Sequence, residues 1–159
     1  MTIAEKFGKD QAWTIVKSGI VDDTPWRGIN GVNDPRVGWV YGDRNDSSIG
    51  FLDNSIATQY GGQVENIAYT PLITMENMSI DSIDFAILPG HQVMSSPVTS
   101  FISLTYNGVT YGKEWARPSS TQYNYTLRLI YNRLGYVRDF VGVKLRTVSG
   151  ERMAISRCE

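Results

Sequence analysis

The residues able to do chemistry in this chain are few, and their spacing does not assemble them. His91 is the single histidine. It follows Pro89-Gly90 in a loop, so no Ser/His/Asp relay can be defended from it. Cys158 is the single cysteine, close to the end, where an ordinary thiol is expected; no disulfide can form within the chain. Asp81 and Asp84 lie three apart on an alternating segment, and such residues face opposite sides of a strand. Adjacent Asp22-Asp23 diverge in the same way. Neither pair can flank one bond as the two acids of a glycosidase must. Asp43, Asn45 and Ser47 are spaced like the first ligands of a calcium loop, but the later Gly and the distant bidentate Glu are missing. A polar hairpin loop is the better reading. No Gly-rich phosphate loop opens onto a helix. These absences point away from an enzyme, and no cofactor or metal is expected.

The elements that would position these residues read as strands. Ile83, Phe85 and Ile87 alternate with Ser82, Asp84 and Ala86. Ile102, Leu104 and Tyr106 alternate with Ser103 and Thr105. Tyr125, Leu127, Leu129 and Tyr131 alternate with Thr126, Arg128 and Asn132, Ile130 being the exception. Val141, Val143 and Leu145 alternate with Gly142, Lys144 and Arg146. Period two puts one apolar face on a core and a more polar face outward. Asn107-Gly108, between Leu104–Tyr106 and Val109–Tyr111, predicts a two-residue type I′ hairpin turn. Pro89-Gly90 ends a strand, Gly135 marks a bend between the last two long strands, and residues 43–48 join Gly38–Tyr41 to Ile49–Leu52. Ala12–Lys17 reads as a further strand. Residues 2–11 allow a short helical turn, weakened by Gly8.

Many short strands joined by turns predict an all-β chain, an antiparallel sandwich or small barrel. A soft boundary falls at Gly61-Gly62, giving a first region over 1–60 and a second over 61–159. The first has too few strands to bury much surface and must lean on other chain.

Composition sets the remaining bounds. Charged residues are only 19% and the net charge is -1, so no global field recruits nucleic acid or membrane. Residues 1–112 carry 6 Lys+Arg against 12 Asp+Glu, and residues 113–159 carry 9 against 4. Either different faces are solvated differently, or acidic and basic ends meet in a neighbouring copy or partner. No apolar run is long enough to cross a bilayer. The opening residues, Met1–Lys6, lack the apolar core of a signal peptide, so export by that route is not expected.

Arg, Tyr and Trp are the residue types enriched at interface anchors. Trp26, Trp115, Tyr123, Arg128 and Arg146 are the candidates, although each of the aromatics fits a core edge as well. Arg128, Lys144 and Arg146 fall on outward strand faces near Tyr123 and Tyr136. A nucleic-acid platform would combine such charges with stacking rings, but no recognised module is present.

An ordered series of segments carries a resemblance. Ser18–Asp23, Trp26-Arg27-Gly28, Tyr41-Gly42-Asp43 and Ile49–Asp53 resemble the last blade of a β-propeller. Gln59-Tyr60, Tyr69–Leu72, Tyr106–Glu114, Arg133–Arg138 and Gly142–Arg146 follow. In this order they resemble the C-terminal third of the packaged-DNA stabilisation proteins, the tail accessory or plug proteins of short-tailed phages. The match runs from about Trp13 to Glu159, and residues 1–11 match poorly. The resemblance implies a partial propeller-like blade over 1–60 and a jelly-roll-like β-sandwich over 61–159. It implies a structural virion protein, assembled in the host cytoplasm, that closes the portal channel, stabilises packaged DNA and seats other tail proteins. Its implied partners are tail and portal proteins, in a ring-shaped hexamer, with indirect contact to packaged DNA and none to membrane. Members are much longer, so this chain reads as a fragment or a natural short version, expected to be monomeric alone. The alternative is a carbohydrate-binding sandwich in which Trp115, Tyr123 and Tyr125 stack on sugar rings.

Overall fold

A computed structural model describes residues 2–7, 10–15, 17–20, 24–53, 56–87, 98–120, 126–150 and 155–158, with backbone alone over 2–7, 10–15 and 156–157. The described elements are all strands. They are β1 (Thr2–Phe7), β2 (Asp10–Ile15), β3 (Gly28–Asp34), β4 (Gly38–Asp43), β5 (Ile49–Phe51), β6 (Val64–Tyr69) and β7 (Ile73–Thr74). Then come β8 (Met78–Ile87), β9 (Val98–Thr105), β10 (Glu114–Ser120), β11 (Leu129–Val137), β12 (Phe140–Ser149) and β13 (Ile155–Cys158). Two compact units divide the chain, Met1–Val64 and Glu65–Glu159.

In the first unit, β1 and β2 pair as an antiparallel hairpin, with Thr2 opposite Ile15 and Phe7 opposite Asp10. Residues 2–7 and 10–11, within which a helical turn was expected, are therefore strand. Ala, Glu and Lys favour helix, but propensity is a small term that cross-strand pairing overrides here. The other sheet is a β3-β4-β5 meander. Strand β3 carries Asn and Gly in place of a clear alternation, so the sequence does not mark it.

In the second unit, one sheet runs β10-β9-β12-β6, with β7 also on β12, and the other runs β11-β8-β13. One apolar cluster joins them. Ile80, Ile83, Phe85, Leu129, Tyr131, Leu134 and Val137 come from the smaller sheet; Ile102, Leu104, Val141, Val143 and Leu145 come from the larger. Two antiparallel sheets over a shared core make a β-sandwich. The inward residues of β8 and β12 are those that the alternation selects. Tyr131 lies fully inside, edge-on to Phe85. Its hydroxyl donates to the Ser100 carbonyl at 2.8 Å, and burial pushes the phenol pKa up.

Three local expectations are corrected. Asn107 does not take positive φ, so there is no type I′ turn. The β9–β10 connection is longer: the Asn107 Oδ1 accepts from the Val109 and Thr110 amides, each at 2.9 Å, and Gly112 N–H donates to Leu104 O. An Asn side chain bonding its own following backbone replaces the two-residue turn. Gly135 does not separate strands. It sits at a bulge inside β11, where the register steps from Asn132↔Ser82 to Gly135↔Ile80, with φ of 58° at Arg133 and 107° at Gly135. The chain leaves β11 instead at Arg138-Asp139, passing from one sheet to the other. Finally, Ser103 and Thr105 are buried although they face away from the core. Strand β9 is central, and Ser103 lies between Lys144 and Glu114 in register, whose long side chains exclude water. Pro89-Gly90 lies outside the described residues.

Candidate interaction surfaces

Register explains the chemistry of the first unit. Gly28 lies opposite Asp43, which brings the preceding residue, Arg27, to the Asp43 carboxylate. The guanidinium Nε donates to Oδ1 at 3.0 Å and Nη2 donates to Oδ2, a two-pronged pair. Asn45 N–H donates to Oδ1 at 2.9 Å, and Asp46 adds a second carboxylate 3.5 Å from the same guanidinium. Arg27 also lies over the Tyr60 ring, 4.3 Å from its centroid. The Arg27 hydrogen bonds hold the Asp43 carboxyl below the usual carboxylate range, and burial opposes them. Asp43 thus faces a cation of the chain's own, Arg27. On the same face Trp26 packs edge-on to Tyr41 at 4.6 Å, and Trp39 stacks on Tyr41 at 6.2 Å.

The opposite face of this sheet is apolar and largely exposed, with Ile29 and Val40 half-buried. Val32 and Phe51 lie opposite Val40, and Ile29 and Ile49 lie opposite Gly42, so all five apolar side chains share one side. Ile49 is 77% exposed, Val32 65% and Phe51 57%.

In the second unit Arg146 stands on the outer face of the larger sheet. It donates to both Glu114 oxygens, at 3.0 and 2.6 Å, and to Glu65 at 3.3 Å. Its guanidinium lies 4.3 Å from the Phe101 ring centroid. The hydrogen bond from Arg146 draws the Glu114 pKa down, against burial. Beside it, Lys144 lies 5.9 Å from the Tyr111 ring, which packs against Tyr69. Arg128 pairs with Asp84, with its side chain 70% exposed. Trp115 packs half-buried against the core.

The sequence candidates within the described residues lie on or beside different elements. Trp26 belongs to the aromatic face of the first unit. Trp115 is a core edge, Arg146 is held within its sheet, Arg128 lies just before β11, and Tyr123 falls outside the described residues. Of the aromatics of the sugar-platform alternative, Trp115 is half-buried against the core, and Tyr125, like Tyr123, is outside the described residues, as is His91. Among the described residues no three His, Cys, Asp or Glu side chains are grouped to hold a metal ion. No described helix is long and apolar enough to cross a membrane. Sequence reasoning missed the Arg27–Asp43 pair and the exposed apolar face. The apolar pair Ile49 and Phe51 was the available signal for the latter.

Antiparallel sheets throughout, with a sandwich and a separate meander, define an all-β protein of the sandwich class. Residues 65–159 match the family described as "Bacteriophage P22 Gp10, beta-sandwich", and residues 2–57 match "Bacteriophage P22 Gp10, beta-propeller". The chain belongs to this family of short-tailed phage tail proteins, and its place is the virion tail. The "Tail hub protein gp10" of Salmonella phage P22 is 27% identical over 147 residues, which are 92% of this chain and 30% of that protein. The chain spans less than a third of that relative's length.

Proposed function

We propose that this chain is a non-enzymatic building piece of the tail that helps close the portal channel, stabilise packaged DNA and seat further tail proteins. The observation that carries the reading is one apolar sheet face, with Val32, Ile49 and Phe51 exposed and Ile29 and Val40 half-buried, in a sequence of this family. A contiguous apolar surface of this kind marks a contact between proteins. Residues 1–60 act as a partial propeller-like blade, and that face is where a further blade-type sheet packs, since a propeller needs several blades. Residues 61–159 act as a rigid sandwich holding loops for neighbouring tail and portal proteins. In the virion the assembly is a ring, a hexamer, in indirect contact with DNA, and the chain alone is a monomer. The candidate anchors Trp26, Trp115, Tyr123, Arg128 and Arg146 act through this scaffold.

Mixing the purified chain with DNA-filled particles that lack this tail protein tests the reading. Co-sedimentation with the particles and slower DNA leakage are expected. Particles that sediment without the chain and leak at their original rate would overturn it.

A further inference from the structure

A cleft of about 440 Å³ lies where the chain passes between the sheets of the second unit, lined by Tyr106, Tyr136, Arg138, Asp139 and Phe140. We propose that this cleft binds a neutral saccharide, a role separate from tail assembly.

Its construction is rigid. Arg138 and Asp139 form the two-residue corner between β11 and β12. Their carbonyls accept the Asn77 amide and the Met75 amide, each at 2.9 Å, which ties the corner to a neighbouring segment. Tyr136 is fixed by its hydroxyl, which donates to Asn77 Oδ1 at 2.9 Å. Tyr106, at the end of β9, is about half exposed, as is Tyr136.

The chemistry selects the ligand. Both tyrosines keep much of their surface open, as needed to pack against the C–H face of a pyranose. The Arg138 and Asp139 side chains have no partner among the described residues, and both are exposed. A carboxylate accepts from two adjacent hydroxyls, and a guanidinium donates in a fixed fork. Vicinal hydroxyls satisfy both. The opposite charges cancel, so a phosphate chain gains little: a nucleic-acid groove needs several cations and no facing carboxylate. The volume lies within the range of small-ligand sites.

Saturation-transfer NMR on the full chain with a panel of neutral methyl glycosides (glucoside, galactoside, mannoside, rhamnoside) tests this. Transfer to the ring protons of at least one glycoside is expected, with millimolar affinity. Asp139→Asn and Tyr106→Ala should each weaken it about tenfold or more, with the thermal unfolding of Asp139→Asn unchanged, because its side chain is exposed and unpaired. Absence of transfer from every glycoside would overturn the proposal. So would transfer that persists undiminished in Asp139→Asn and in Tyr106→Ala.

Discussion

Asp43 shows how one side chain organises a unit. Its carboxylate is buried, and it is stable there because Arg27 presents a matched fork and Asn45 N–H adds a donor. The pairing lowers the folded-state pKa below the unfolded value. Such an acid contributes its stability above the unfolded pKa and loses it as pH falls through that value towards the folded one. Its stabilising contribution should therefore be complete at neutral pH and decline progressively as pH falls below about 4. Asp43→Asn should lower the melting temperature at pH 7 and flatten its decline between about pH 4 and pH 2, followed by circular dichroism. An equally steep decline in the variant would show that other groups govern it. The sequence displayed Asp43 as a turn residue, but its partner lies sixteen positions earlier. Only the β3–β4 register joins them, and β3 carries no alternation by which to read it.

At the level of elements, the sandwich depends on close approach between neighbouring strands. Gly142 on β12 lies opposite Thr105 on β9. A Cβ there would fall 2.9 Å from the Thr105 methyl and 3.1 Å from Leu72 Cδ2. Gly142→Ala should therefore destabilise the chain by about 1–3 kcal/mol through overpacking. Urea unfolding measures it, and an unchanged midpoint would mean that Leu72 moves aside freely. The long alternating strands were legible because burying one face of a sheet imposes period two, as Val141, Val143 and Leu145 show. The polar face of β9 was not legible. Whether Ser103 and Thr105 meet water depends on neighbours far away in sequence. The Asn107 turn was half legible: the residue types mark a turn, while the side-chain bonds of Asn107 select its length. The sequence left Trp115 between an interface anchor and a core edge, since its type alone cannot say which way the strand turns it; it packs half-buried against the core.

At the scale of the whole molecule, the ion pairs are largely consumed within the fold, while apolar surface is left open on the first unit. That division suits a piece of a larger assembly better than a free-standing protein. Replacing Phe51 with Asp should leave the circular dichroism spectrum intact, reduce binding of a hydrophobic dye, and weaken attachment to tail-deficient particles. Undiminished attachment would move the contact to another surface. Family membership was legible from the order of modest segments, none of them decisive alone. The exposed apolar face was not, because alternation reports that a face is apolar and not what covers it.

The most direct test is cross-linking mass spectrometry on purified virions, with a reagent that reaches Lys113 and Lys144. The chain should be recovered from intact particles with cross-links to other tail proteins. Virions that lack the chain, or that contain it without a cross-link to any tail protein, would contradict the assembly role.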